Sequence, residues 1–390
     1  TFGDVLYSIC IGYWVYEKTG STALMGLLTS ISMFVAMILG PFCGAIIDRS
    51  HRKWMIVGTD LIRGLTMIGL GLIAMSQHLE VWMVLATAFI AALCNAFFTP
   101  ASMTVMTDLV MPKDLVRAQS LSGGMRSLVA MAGKGLSGAI IAFLGVPFVI
   151  LLNGVSLLIS AFTECFIDVP RAPKTGMPIN LKTLFADLKE GAQYVFNDRC
   201  FRLIVIIAVS ANFFGSGMGA VFLPFCLGRG LDVVQYGYLM SLQSISALIG
   251  TIFMGTLNIK PELRIRLMLF GFPLSSLLFA VCYSMQTFNS LAFTFLITYF
   301  VSAVANAILN AAFMLVIPRE KRAMISGFIM MASSGGQALS SLAFGFIAEF
   351  VDLSVLGTVS SLISILPFIL LFVYPEIKER FIQAELNPEV

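Results

Sequence analysis

Residues 22–53 read TALMGLLTSISMFVAMILGPFCGAIIDRSHRK. From Thr22 to Ile47 there is no charge, and then Asp48, Arg49, His51, Arg52 and Lys53 arrive together. A hydrocarbon core of roughly 30 Å needs about 20 apolar residues in helical form. The stretch therefore reads as one membrane span followed by a charged link. The same alternation recurs along the chain, giving twelve spans near 1–16, 22–47, 54–76, 81–107, 120–145, 147–168, 201–225, 234–258, 264–285, 289–316, 323–348 and 353–374. Composition agrees: 58% hydrophobic, 12% charged, mean hydropathy +0.93. A soluble domain could not hide so much apolar surface. The expected class is an all-α membrane protein.

The basic residues set the sidedness. Of 24 lysines and arginines, Lys18 and Arg229 fall in odd-numbered links, and Arg63, Arg126 and Lys134 fall inside spans. The others lie in even-numbered links, at the span ends beside them, or in the tail. Those links are expected to be cytoplasmic, as are both termini, and the short first span is expected to begin before Thr1. The net charge of +3 then meets anionic headgroups and is no sign of nucleic-acid binding. Seven cysteines occur without a C-x-x-C, so neither a zinc site nor a redox pair is indicated. The two histidines, His51 and His78, lie in links, which excludes a histidine relay at membrane depth.

The chain repeats itself. Gly26-Leu-Leu-Thr-Ser30 matches Gly237-Tyr-Leu-Met-Ser241, and Asn95-Ala96 matches Asn306-Ala307 at the same offset. Six spans, a long link and six similar spans fit the parallel repeats of two-half transporters, whose substrate site lies near the midplane. The expected organisation is an N-terminal six-helix bundle at 1–168, a linker at 169–200, a C-terminal bundle at 201–374 and a cytoplasmic tail at 375–390. Within the linker, Leu181, Leu184, Phe185, Leu188, Ala192 and Val195 recur at helical spacing, which predicts an amphipathic surface helix.

The link after span 2 has the spacing G-x-x-x-D-R-x-x-R-K, from Gly44 through Asp48, Arg49, Arg52 and Lys53. Asp48 can cap the next helix, and the cations can pair with Asp108 or Asp114 in one state and release them in another. With this spacing the chain resembles the major facilitator superfamily, although His51 stands where that family often has glycine. Phe2-Gly3-Asp4 with Trp14, Asp60-Leu-Ile-Arg63, and Asp187-Leu-Lys-Glu190 leading to Asn212-Phe213-Phe214 resemble its bacterial macrolide-efflux and siderophore-exporter branch. That resemblance implies two pseudo-symmetric six-helix bundles and proton-coupled export of amphipathic molecules. It also implies a cavity lined by spans 1, 4, 7 and 10, so Tyr7, Trp14, Asn95, Phe97, Phe98, Phe213, Phe214 and Asn310 are candidate wall residues. Asn212, Gln243, Asn306 and Gln337 are the neutral polar candidates at depth in the second half.

Ionisable groups inside a bilayer are costly and are functional candidates by default. Asp4, Asp60, Arg63, Arg126, Lys134 and Glu164 qualify, all in the first half. Asp4 lies about 18 Å below the outer end of its span at 1.5 Å per residue. It is expected either to pair with Lys134 or Arg126 and carry the coupling proton, or to pin helices 1 and 5 together. Lys134 has three possible uses: holding Asp4, attracting an anionic substrate group, or snorkelling to water. Asp60 and Arg63 share a helix face and read as a structural ion pair, and Glu164 as the partner of a nearby cation. No H-E-x-x-H, G-x-S-x-G or P-loop occurs, so there is no expected catalytic residue, metal or nucleotide site, and the energy source is expected to be a proton gradient. Expected partners are a small amphipathic substrate, protons and membrane lipids. The setting is a monomer in the bacterial inner membrane. Lipid or lysolipid transport, siderophore transport and proton-coupled uptake are the alternatives.

Overall fold

A computed structural model of the chain describes residues 2–47, 50–111, 114–169, 181–256, 259–316 and 322–373. The helices are α1 (Phe2–Thr19), α2 (Thr22–Ile47), α3 (Arg52–Met75), α4 (Val81–Leu109), α5 (Leu115–Glu164), α6 (Leu181–Asn197), α7 (Arg199–Gly228), α8 (Val233–Thr256), α9 (Pro261–Ser284), α10 (Phe288–Val316), α11 (Arg322–Ile347), α12 (Leu353–Ile363) and α13 (Ile365–Val373). Among the described residues, eight helical stretches are long and apolar enough to cross a membrane on that basis alone. The longest, Arg117–Glu164, holds two crossings, because Gly145 leaves helical geometry at φ 75° and ψ 163°. Only glycine adopts that conformation readily. Pro147 follows, in the first turn of the second arm, where its missing N–H is not needed. The last crossing is likewise broken at Ser364 into α12 and α13.

Unit 1 comprises Thr1–Leu184 with Asp232–Tyr238, and unit 2 comprises Phe185–Leu231 with Leu239–Val390. In unit 1, α5 packs on α3 and α1, and α4 packs on α2 and α3. The two arms of α5 run in opposite senses along α1. Gly133 of the first arm faces Val5, whereas Asn153 of the second faces Gly3 and Val146 faces Cys10. Close approach of α3 to the second arm depends on small residues. A Cβ on Gly64 would stand 2.7 Å from Leu158, and one on Gly154 would stand 2.9 Å from the backbone of Ile68. Such contacts supply the dispersion that holds helices together where lipid removes the hydrophobic drive.

In unit 2, α7 packs on α11, α9 on α10, and α12 on α9. These pairings mirror α1 with the first arm of α5, α3 with α4, and α3 with the second arm, as an internal repeat requires. Val195 of α6 is buried with Phe201, Val205, Ile265, Met268 and Phe368, so the amphipathic helix seats its last turns in the unit 2 core. Large apolar side chains also face outward, Phe143 being 89% exposed and Phe293 69%. Lipid tails, not water, suit such a surface.

Candidate functional site

Three helices bring charge together inside unit 1. Arg63 of α3 is 7% exposed and Asp60, one turn earlier on the same face, is 2% exposed. Arg63 Nη1 donates to Asp60 Oδ1 at 3.4 Å, and Nη2 donates to Asp4 Oδ1 of α1 at 2.5 Å. One guanidinium thus ties α1 to α3 while holding its own helix neighbour. The planar fork of arginine suits this double duty in a way that lysine does not. Asp4, expected to pair with Lys134 or Arg126, meets Arg63, a cation that expectation did not include. Lys134 is half-buried on the first arm of α5, with its carbonyl beside Gly237, and Arg126 is exposed. Glu164, expected to partner a nearby cation, meets a hydroxyl instead. Ser160 donates to its Oε1 at 3.2 Å, and Asp60 lies beyond the serine.

The motif after α2 is partly visible. Arg52, in the first turn of α3, makes a 2.5 Å ion pair with Asp108 near the end of α4. Lys53 lies 5.8 Å from the centre of the Trp54 ring, and Gly44 falls within α2. Asp48 and Arg49 lie outside the described residues, as do the linker prolines Pro170, Pro173 and Pro178 and the tail at 375–390.

The wall candidates divide. Asn95 and Asn306 are exposed, as is Asn310 one turn beyond Asn306. Asn306 returns its amide to the Ser302 carbonyl at 2.9 Å. The structure brings Gln337 of α11 to Asn212 of α7, Nε2 donating to Oδ1 at 3.2 Å. Phe213 and Phe214 both meet Phe344 edge-on. The remaining candidates are drawn into their own units. Tyr7 is 8% exposed and turned toward Thr87. Phe97 and Phe98 pack against the cluster of Cys43, Ile47, Ile56 and Ala101, and Gln243 meets the half-buried Tyr299. Trp14 lines a cavity of about 370 Å³ with Lys18, Gln77 and Pro147, all in unit 1. Aromatic rings bury 150–250 Å² each, and helix neighbours supply that contact locally.

Two features went unread in the sequence. Arg229, in the turn between α7 and α8, donates to the Tyr283 carbonyl at 2.8 Å, to Ser354 Oγ at 2.9 Å and to the Met285 carbonyl, with its guanidinium 5.0 Å from the Phe225 ring centre. It joins the ends of α7, α9 and α12. The signal was its isolation as one of two cations in the odd-numbered links. The second feature is a polar row on the second arm of α5, formed by Asn153, Ser156, Ser160 and Glu164. These residues recur at helical spacing within an apolar span, and they face α1 and α3.

The chain matches the family model described as Major Facilitator Superfamily over residues 1–272 and 205–387. It belongs to that family, and it is a multi-pass membrane protein. It is 25% identical over 209 residues to Macrolide efflux protein A of Streptococcus pyogenes, covering 50% of this chain and 52% of that protein. It is 27% identical over 213 residues to BacE of Bacillus subtilis (strain 168), described provisionally as a bacilysin exporter, with 50% and 52% covered. The chain thus spans about half the length of the curated relatives it matches. Among solved structures, a bacterial homolog to the human lysosomal transporter Spinster, crystallised inward-facing and occupied, aligns with TM-score 0.68 at 14% identity, covering 99% of this chain and 94% of that one. The D323A mutant of the nucleoside transporter NupG aligns with TM-score 0.71 at 14% identity, covering 95% and 96%. At such identities these likenesses establish the fold.

Proposed function

We propose that this protein is a secondary transporter that exports small amphipathic molecules, such as macrolides, in exchange for protons. It works as a monomer in the bacterial cytoplasmic membrane, with both termini in the cytoplasm and no cofactor beyond the ion gradient. The observation that carries the reading is the ion pair of Asp4 with Arg63 at 2.5 Å. It puts a protonatable carboxylate between two helices of one bundle, where loss of its charge would loosen α1 from α3. Proton binding then biases which face of the pathway is open, the population shift that alternating access requires. The named efflux proteins that the chain resembles support export over uptake. The Arg52–Asp108 pair supports a latch at the cytoplasmic end that closes in one state and parts in the other.

The test is expression in a strain lacking its own drug pumps, with labelled macrolide accumulation followed before and after a protonophore. Lower accumulation that returns to the vector level when the gradient collapses supports export. Accumulation above the vector level would instead indicate uptake. Unchanged accumulation of macrolides together with movement of labelled lysolipid would reassign the substrate class.

A further inference from the structure

The internal repeat relates the two cations of the odd-numbered links. Lys18 corresponds to Arg229, and Trp14 to Phe225, at the offset that relates Asn95 to Asn306. Each cation stands over its ring, Lys18 Nζ 5.5 Å from the Trp14 centre and the Arg229 guanidinium 5.0 Å from the Phe225 centre, within the range of a cation–π contact. Beyond the ring they differ. Arg229 turns its fork to the Tyr283 and Met285 carbonyls and to Ser354 Oγ. Lys18 makes one long bond, Nζ donating to the Leu79 carbonyl at 3.4 Å, although an ammonium has three donors. The neighbouring carboxylates accept from other groups, Glu17 from Tyr13 Oη at 3.2 Å and Glu80 from Trp82 Nε1 at 2.7 Å. Among the described residues no carboxylate pairs with Lys18.

Whereas Arg229 is taken up by its own unit, Lys18 lines a cavity of about 370 Å³. The cavity lies at the end of α3 away from Arg52, between Trp14, the turn at Gln77 and Leu79, and the start of the second arm of α5 at Val146 and Pro147. Its volume is at the small end of ligand sites, which run from about 300 to 1,000 Å³. Gln77 is the one described non-glycine residue at positive φ, 63°, a conformation uncommon for such a side chain. A second cavity, of about 360 Å³, shares the α5 bend. Leu144 and Phe148, which flank Val146 and Pro147, line it together with Leu152, Val155 and Ile159. These five apolar side chains are 43–58% exposed. Trp82, three residues beyond Leu79 and 61% exposed, places the bend at the interfacial level where indole rings gather.

A cation with spare donors, an indole face and an amide share one cavity, and an apolar groove at interface depth adjoins it. That combination fits an anion carried on acyl chains. We propose that unit 1 binds a bilayer phospholipid here, with its phosphodiester accepting from Lys18 Nζ in the first cavity and an acyl chain lying along Leu144, Phe148, Leu152 and Val155. Free phosphate would fill the first cavity and leave the second without a role. The bound headgroup joins the end of α1 to the turn after α3, as Arg229 joins α7, α9 and α12 in unit 2. On the sidedness set by the basic residues the lipid belongs to the outer leaflet. The inference depends neither on the exported substrate nor on the antiport reading.

Native mass spectrometry of the purified full chain in detergent, titrated with phosphatidylglycerol, tests this without any transported substrate. The wild type is expected to retain one phosphatidylglycerol more tightly than further copies, and to show no such tight copy with diacylglycerol, which lacks the phosphate. Lys18→Gln is expected to weaken the tight copy roughly tenfold or more, the loss of one charge-assisted hydrogen bond. Lys260→Gln, an equal charge loss at an exposed position of unit 2, is expected to keep it. Phe148→Ser is expected to weaken it through the acyl chain. The Lys18 and Phe148 side chains are both exposed, so neither variant disturbs a core. Equal retention by Lys18→Gln and the wild type would overturn the headgroup site, and retention unmoved by Phe148→Ser would overturn the acyl groove. Displacement of the lipid by inorganic phosphate would contradict the phospholipid and leave a site for a free anion.

Discussion

Arg63 and Arg229 do comparable work in the two units, each joining separate helices through several acceptors. Arg63→Met would leave Asp60 buried and uncompensated, a loss of roughly 3–5 kcal/mol. It is expected to lower the thermal midpoint in detergent far more than Asp4→Asn. The Asp4 side chain is 34% exposed, and a pair so open to solvent is worth about 1 kcal/mol or less. Equal destabilisation by the two variants would show that Asp4, not Asp60, is the group that needs the cation. Arg229→Ala would strip donors from two backbone carbonyls and Ser354 Oγ, at about 1–3 kcal/mol per buried acceptor left bare. Its midpoint is expected to fall, with Arg229→Lys recovering only part, because an ammonium cannot reproduce the fork. Full recovery by lysine would reduce Arg229 to a point charge.

Helix breaks follow from single residues. Gly145→Ala forces a side chain into a glycine conformation at a cost of order 1–3 kcal/mol, and is expected to lower the midpoint. Gly58→Ala, in α3 with open space around it, is expected to be neutral or to gain about 0.5–1 kcal/mol. If both behaved alike, the turn would not depend on Gly145. At the start of α12 the backbone N–H of Val355, then the side chain and N–H of Ser354, hold the Asp352 carboxyl below its ordinary 3.8. A depressed folded value means that the cap's full contribution is present above the unfolded value and is lost as pH falls through the folded one. Amide exchange at Ser354 and Val355 should therefore accelerate only below about pH 4, and Asp352→Ala should make it fast at every pH. The break between the two arms of α5 was legible, since Gly145 and Pro147 interrupt an otherwise apolar run, and so were the charge-free cores of α2 and α4. The partner of Asp4 was not. Periodicity fixes which residues share a helix face, but not which neighbouring helix meets that face. Asp4 met α3 because Gly64 and Gly154 let α3 settle close against the second arm of α5, beside α1. The neighbours of Trp14, Phe97, Phe98 and Gln243 were unreadable for the same reason: hydropathy identifies their helices, and only packing shows what each side chain touches.

At the scale of the whole molecule, two units with mirrored helix pairings differ in how they use charge. Unit 1 buries Asp60 and Arg63 and holds the half-buried Asp4 against them, whereas unit 2 offers Asn212 with Gln337 and exposed asparagines on α10. In the proposed mechanism energy coupling belongs to the first unit, and the neutral, aromatic-flanked contacts of the second are left for the substrate. The most direct measurement is proton movement in sealed proteoliposomes containing a pH-sensitive dye, recorded on macrolide addition for the wild type and for Asp4→Asn. Wild-type vesicles are expected to move protons against the drug, and Asp4→Asn vesicles to show no drug-dependent proton signal. A proton signal in Asp4→Asn equal to that of the wild type, at equal drug flux, would contradict the coupling role of the first unit.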